Sequence, residues 1–131
     1  MTNKKIRILL AKPPFDCHDI GIKVLSVVLR DSGFEVIYTG QAKTLESIVN
    51  AAIQEDTALI GLSILTDPPV PIVGEIRRML KENNSDDIPI VVGGIIGPED
   101  IKVLKEQLNV AEVFGPGTTH ETIVDTIRAH V

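Results

Sequence analysis

An acid, a histidine and a glycine, at Asp16, His18 and Gly21, follow an apolar run that predicts a strand. An imidazole can exchange a proton near neutral pH, or it can donate a ring nitrogen to a metal ion when it is neutral. Taken alone, a histidine at a strand end is more often a hydrogen-bonded polar residue than a metal ligand. The single Cys17 excludes an internal disulfide and a zinc site built from cysteine pairs. The chemistry of this segment therefore depends on what the fold puts beside it.

Five apolar, β-branched segments alternate with segments of helical periodicity, which predicts parallel strands joined by right-handed helical crossovers. The predicted strands are residues 6–11, 34–38, 58–65, 88–92 and 110–114. For five such units we predict an α/β, flavodoxin-like (Rossmann-like) fold, a three-layer doubly wound sheet with strand order 2-1-3-4-5. That order puts a ligand crevice outside the carboxyl ends of strands 1 and 3.

Capping residues and glycines mark the predicted ends of the helices. Thr44 is a candidate N-cap for the second helix and Asp67 for the third, and Gly97-Pro98 opens the fourth. Thr118, with Glu121 three residues later, is a candidate capping box for a fifth helix over 118–129. The first helix has its apolar residues at Val24, Val27 and Val28 and stops at Ser32-Gly33.

The composition is that of one acidic domain, with 131 residues, a formal net charge of -5 and 44% hydrophobic residues. A chain of this length is large enough for one core and too short for two, so we expect one domain over residues 1–131. The sequence has neither a basic stripe nor an apolar run of about 20 residues, so we expect neither nucleic acid nor membrane as a partner. The N-terminus lacks the pattern of a signal peptide, and we expect a cytoplasmic protein.

In the predicted order, the segments after strands 1, 3, 4 and 5 form one continuous rim, and residues 39–43, after strand 2, lie outside it. Three common functions of such folds fit this rim poorly. A phosphoacceptor receiver domain needs an acidic pair after strand 1 and a lysine after strand 5, and the sequence has neither. Prolines replace the hydroxyl-rich phosphate loop of a flavin site, and the dinucleotide fingerprint G-x-G-x-x-G is absent.

Three short motifs stand in order at the ends of predicted strands 1, 3 and 4. They are Asp16-x-His18-x-x-Gly21, Ser63-x-Leu65 and Gly93-Gly94. Over nearly the whole chain, this arrangement resembles the cobalamin-binding domain of adenosylcobalamin-dependent mutases. The segment from Phe114 to Thr118 is most similar to the methylmalonyl-CoA mutase family of acyl-CoA mutases.

The resemblance implies that His18 coordinates the cobalt of cobalamin from the lower face, in place of the cofactor's own dimethylbenzimidazole. Asp16 would accept the other ring N–H of His18, which fixes the tautomer and orientation of the ring. Lys12 would pair with Asp16, so that a cation, an acid and an imidazole form a relay beneath the metal. Gly21 would let the flat corrin approach the start of the first helix closely.

The same resemblance implies contacts between the rim and the displaced nucleotide tail of the cofactor. Ser63 would offer its hydroxyl to the base, with Leu65 packed nearby. Gly93 and Gly94 would line a narrow slot, and a bulky residue at Gly94 is expected to block that slot without disturbing the fold. The remaining predicted cofactor contacts are Asp19, Ile20, Gly115 and Thr118.

By resemblance, the chain is the small subunit of an adenosylcobalamin-dependent acyl-CoA mutase, an isomerase that is inactive without a large (β/α)8 barrel subunit. The expected assembly is a heterotetramer, with a G-protein chaperone as a further partner. Methylmalonyl-CoA and 2-hydroxyisobutyryl-CoA are the candidate substrates. After Leu65 the chain has Thr-Asp-Pro-Pro, where methylmalonyl-CoA mutases have two small residues and a histidine, so the substrate stays open.

Three alternatives remain. A corrinoid carrier or methyltransferase corrinoid protein would share Asp16 and His18, but that group usually has a helical bundle ahead of this domain. The small subunit of a glutamate-type mutase shares Asp16-Cys17-His18, although the short turn from Gly94 to Asp100 fits the acyl-CoA group better. The third alternative is a regulatory module without a cofactor.

Overall fold

The computed structural model describes residues 5–14 and 20–131. Strands and helices alternate along this part of the chain. They are β1 (Arg7–Lys12), α1 (Ile20–Asp31), β2 (Glu35–Gln41), α2 (Leu45–Gln54), β3 (Leu59–Ser63), α3 (Pro69–Glu82), β4 (Ile90–Gly93), α4 (Pro98–Glu106), β5 (Glu112–Phe114) and α5 (His120–Ala129).

All paired strands are parallel, and the five-stranded sheet has the order β2-β1-β3-β4-β5. The predicted fold class and strand order are therefore confirmed. The carboxyl ends of β1, β3, β4 and β5 lie side by side, as the rim requires. Strand β2 is longer than predicted and includes Thr39, Gly40 and Gln41, which the sequence analysis assigned to a loop.

Hydrophobic side chains fill both faces of the sheet. On one face, α2, α3 and α4 pack through residues such as Ile48, Ile76 and Leu104, all fully buried. On the other face, α1 and α5 pack through Leu29 and Ile127, which are also fully buried. The two cores make the central strands apolar on both sides, which is why their sequences read as continuous hydrophobic runs.

Of the predicted helix starts, two are confirmed by the structure and two are wrong. Thr44 caps α2 by accepting a hydrogen bond from Ser47 N, as predicted, and Gly97 precedes α4. Asp67 does not cap α3, because the N-cap is Pro68, which offers no side-chain oxygen. Helix α5 begins two residues later than predicted, and its cap is Thr119 rather than Thr118.

The buried stripe of α1 was predicted correctly only at Val28, which packs against the core. Val24 and Val27 are 45% and 44% exposed, whereas Ile22 and Leu29 are buried. The buried pair is seven residues apart, or about two helical turns, and Val24 and Val27 lie off that line. Because the first helix is apolar almost all round, its sequence alone did not indicate which stripe faces the sheet.

Polar side chains tie the helices to neighbouring loops and strands. The half-buried Arg77 of α3 donates hydrogen bonds to four backbone carbonyls, those of Asp86, Ile88, Leu108 and Asn109, at 2.8 to 3.3 Å. Lys105 Nζ lies 2.6 Å from the Glu112 carboxylate, linking α4 to β5 and lowering the pKa of that carboxyl. None of the helices in the described ranges is both long and apolar enough to span a membrane.

Candidate functional site

A cavity of about 560 Å³ lies between the sheet and the helix pair α1 and α5. It opens at the carboxyl edge of the sheet and runs inward along β3 and β4. The exposed residues of its lining all belong to that edge, and they are Gly21, Leu65, Ile95, Gly115 and Pro116. Hydrocarbon forms most of the wall, so the cavity suits an apolar group more than a charged one.

Small residues on one face of the central strands create this space. On β3, Gly61 and Ser63 face the cavity, and on β4 Gly93 does so. Neighbouring residues on the same strands, such as Ile60 on β3 and Val92 on β4, point to the opposite face and are buried in the other core. Because side chains alternate along a strand, one face of the sheet can be packed densely while the other leaves a trough.

Helices α1 and α5 form the outer walls. Ile22 and Leu25 line the cavity from α1, and Ile123 and Ile127 line it from α5. At the opposite end of the two helices, the Arg128 guanidinium donates a 2.7 Å hydrogen bond to the Ser32 carbonyl oxygen and lies 5.3 Å from the centre of the Phe34 ring. We call this contact the Arg128 bridge; it joins the helices at the end farthest from the cavity mouth.

Seven of the residues predicted as cofactor contacts line this one cavity. They are Gly21, Ser63, Leu65, Gly93, Gly94, Gly115 and Thr118. Residues 15–19 lie outside the described part of the chain, so the predictions for Asp16, His18 and Asp19 have no structural counterpart here. The same holds for the side chain of Ile20, although its backbone begins α1.

The glycines of the lining differ in what a side chain would meet. A Cβ built on Gly21, Gly93 or Gly115 has no atom within 4 Å, so each of these borders open space. A Cβ on Gly94 would overlap the backbone carbonyl oxygen of Ile64. The expectation that a bulky Gly94 leaves the fold intact is therefore wrong, because this glycine is required by the close approach of two backbone segments.

Two polar side chains reach the lining. The Thr118 hydroxyl donates a 2.8 Å hydrogen bond to the Gly115 carbonyl oxygen, so it can meet a ligand only as an acceptor. Ser63, half-buried at the end of β3, lies opposite Gly93 in the strand register. Among the described residues of the lining, no side chain is acidic or basic.

Lys12 ends β1 and is only 1% exposed. Its side chain is therefore not a solvated surface charge. A buried ammonium group is costly unless other groups compensate it. As the last residue of β1, Lys12 lies at the carboxyl edge of the sheet.

Sequence reasoning missed the deep half of the cavity. The missed lining residues include Leu10, Leu25, Gly61, Val91, Ile123 and Ile127. The apolar members resemble core residues in the sequence, so nothing distinguishes them. Gly61 carried a signal, because a glycine inside a buried strand, followed at the next same-face position by Ser63, marks a face with little side-chain volume.

Comparison with known proteins gives consistent results. A family model described as the B12 binding domain matches residues 6–125. The chain is 39% identical over 131 residues to the 2-hydroxyisobutanoyl-CoA mutase small subunit of Aquincola tertiaricarbonis, covering 100% of this chain and 96% of that protein. It is 36% identical over 126 residues to the pivalyl-CoA mutase small subunit of Xanthobacter autotrophicus, covering 96% of this chain and 84% of that protein.

Among solved structures, a cobalamin-binding protein from Desulfitobacterium hafniense has a TM-score of 0.77 at 22% identity, covering 98% of this chain and 60% of that one. This likeness shows a shared fold. The family match and the two full-length sequence similarities go further, and they confirm the resemblance found in the motifs. The chain belongs to the B12-binding domain family.

Proposed function

We propose that this protein is the cobalamin-binding small subunit of an adenosylcobalamin-dependent acyl-CoA mutase. It holds the cofactor with its nucleotide tail inserted in the cavity and His18 on the lower face of the cobalt. The observation that carries the proposal is the convergence of Gly21, Ser63, Gly93 and Thr118 on one apolar cavity in a B12-binding chain. Residues 1–131 act as one cobalamin-binding domain.

The described residues fit such a cofactor. The cavity wall is mostly hydrocarbon, which suits the dimethylbenzimidazole base that ends the tail. The space beside Gly21, Gly93 and Gly115 suits the corrin edge and the tail, since none of the described atoms around them lies within 4 Å of a Cβ built there. The Thr118 oxygen can accept a hydrogen bond from a tail hydroxyl.

The roles of Asp16, His18 and Lys12 rest on the resemblance to the mutase family. Asp16 and His18 fall between Lys12, at the end of β1, and Gly21, which lines the cavity mouth. His18 would ligate through a neutral ring nitrogen, while Asp16 accepts the other ring N–H and Lys12 pairs with Asp16. Asp19 and Ile20 would border the corrin from the same segment.

The similarity to two mutase small subunits supports a separate large subunit as the partner and a branched or hydroxylated acyl-CoA as the substrate. When bound, adenosylcobalamin supplies the radical that starts a carbon-skeleton isomerisation. This chain holds the cofactor, orients its lower face and excludes water from its tail. A heterotetramer with a barrel-shaped large subunit, a G-protein chaperone and a cytoplasmic location complete the proposal.

Hydroxocobalamin added to the purified protein tests cofactor binding. We expect a saturable change in the corrin absorption spectrum, and an unchanged spectrum contradicts the proposal. Addition of a co-purified large subunit, adenosylcobalamin and candidate acyl-CoA substrates then tests mutase activity. Cobalamin binding without isomerisation by any such complex would instead indicate a corrinoid carrier.

Ligation by His18 is tested in the Co(II) form. With [15N]histidine in the protein, we expect the nitrogen splitting in the electron paramagnetic resonance spectrum to change from three lines to two. His18→Ala should abolish that change, whereas His120→Ala, on the exposed start of α5, should keep it. A three-line splitting with labelled wild-type protein would mean that the cofactor's own base still ligates the metal.

Asp16→Asn tests the orienting carboxylate. An amide accepts the ring N–H less well, so we expect cobalamin affinity to fall by about 10- to 100-fold. The affinity is measured by titration of the corrin absorption. Asp67→Asn, a change of the same kind outside the cavity lining, is the control. Equal affinities of the Asp16 variant and the wild type would contradict the role of Asp16.

A further inference from the structure

Gly61 lies at the deep end of the cavity, where none of the recognition motifs reaches. It is buried in the middle of β3, and its register partners are Leu10 on β1 and Val91 on β4. All three residues line the cavity. They therefore form one row across the sheet, one step deeper than the row that contains Ser63 and Gly93.

The side chain of Leu10 lies over Gly61. A Cβ built on Gly61 would be 2.7 Å from Leu10 Cδ2 and 3.7 Å from Val91 Cγ2. The first distance is too short for two carbon atoms, and the second is an ordinary contact. The end of Leu10 thus occupies the space that any side chain at position 61 would need.

A methyl group at position 61 would force Leu10 to move. The end of a leucine side chain can rotate at low cost, but most of its surroundings are packed core. Leu10 is 1% exposed, and the free volume beside it is the cavity that it lines. The displaced side chain would therefore enter the cavity and shorten it from the inner end.

We propose that Gly61 is a specificity-determining residue that sets how deep the base of the cofactor's tail can enter. This inference rests on the proposed function, because it assigns the cavity to that tail. Gly61 lets Leu10 lie flat against β3 and so leaves room for a two-ring base. The corrin itself, outside the carboxyl edge, does not depend on this residue.

The test compares cobalamin with cobinamide, the corrinoid that lacks the nucleotide tail. For Gly61→Ala we expect a loss of hydroxocobalamin affinity of roughly tenfold or more, since one extra methyl group in a packed site usually costs at least that factor. Cobinamide affinity should stay within about twofold. The control is Gly74→Ala in α3, whose Cβ would meet only Leu108 at 3.8 Å.

A second variant distinguishes a blocked cavity from general damage. Leu10→Val removes the Cδ2 atom, so the double variant Gly61→Ala/Leu10→Val should regain most of the cobalamin affinity. Equal losses for both corrinoids, no loss for cobalamin, or no recovery in the double variant would each overturn the role of Gly61. Failure of the wild type to bind either corrinoid would instead overturn the proposed function.

Discussion

Adjacent glycines serve different purposes at the end of β4. Gly93 borders open cavity, whereas Gly94 lies against the backbone of Ile64, whose N–H in turn donates a 3.0 Å hydrogen bond to the Gly93 carbonyl. The sequence Gly-Gly cannot show this difference, because it depends on which atoms of other segments lie next to each glycine. The structure separates a glycine that close backbone packing requires from one that borders open space.

Substitution of each glycine tests this separation. Gly93→Leu should keep its thermal transition near that of the wild type, because the leucine fills open space, and should weaken hydroxocobalamin binding by at least about tenfold. Gly94→Ala should lower the free energy of unfolding by roughly 2 kcal/mol or more, because the methyl group overlaps a carbonyl. Thermal unfolding and corrin titration measure the two effects. Equal stability of both variants would show that the approach of Ile64 to Gly94 is not tight.

At the level of whole elements, two neighbouring arginines of helix α3 make different contacts. One binds loops outside the helix, and the other pairs with acids on the helix surface. Arg77 donates to carbonyls before β4 and before β5, and burial lowers its pKa. Arg78, the next residue, forms ion pairs with Glu75 and Glu82 on the exposed side of the same helix. Hydrogen bonds to carbonyls from a half-buried charge contribute more to stability than exposed ion pairs do.

Replacement of the two arginines by methionine should therefore have unequal effects. Arg77→Met keeps the aliphatic length but leaves carbonyls without a donor, and we expect the free energy of unfolding to fall by about 2 kcal/mol. Arg78→Met should change it little, because water screens its ion pairs. Urea unfolding of both variants measures the difference. A larger loss for Arg78 would reverse this assignment.

The start of α5 offers a similar comparison between neighbouring threonines. Thr119 caps the helix by accepting a 3.1 Å hydrogen bond from Thr122 N, whereas Thr118 lines the cavity. We expect Thr119→Ala to cost about 1 kcal/mol of stability. Thr118→Ala should instead weaken cobalamin binding with a smaller change in stability. Thermal unfolding and corrin titration of each variant check this, and the reverse pattern would assign the cap to Thr118.

The order of the elements was predictable because strict alternation of strands and helices leaves few topologies for a parallel sheet. The rim residues were predictable for the same reason, since carboxyl ends of neighbouring strands meet at one edge. Finer features depend on three-dimensional packing. The buried stripe of α1 and the shift of the α5 cap by one threonine are decided by contacts that the local sequence does not encode.

For the whole molecule, the cavity is a region where the apolar core is incomplete. Leu25, Ile123 and Val91 line space that a bound apolar group would fill. The sequence predicted the mouth of this space but not its depth, because hydrophobic residues of a cavity wall and of a filled core have the same composition. Stability and ligand binding should therefore be linked across the domain.

Thermal unfolding at rising corrinoid concentration tests that linkage. Hydroxocobalamin at about 100 times its dissociation constant should raise Tm by on the order of 10 °C, because it binds the folded state alone. Cobinamide at the same concentration should raise it less, since it leaves the cavity unfilled. The shift should grow with the logarithm of concentration. A constant Tm at saturating hydroxocobalamin would contradict insertion of the tail.

The exposed residues of the cavity lining lie at the carboxyl edge of the sheet, and the Arg128 bridge joins α1 and α5 at the opposite end. A ligand that enters from the carboxyl edge passes Gly21, Gly93 and Gly115. A large subunit seated on that edge would trap the cofactor between the two proteins. Loading and release of cobalamin would then require the subunits to separate. The dissociation rate of the complex would limit the rate of cofactor exchange.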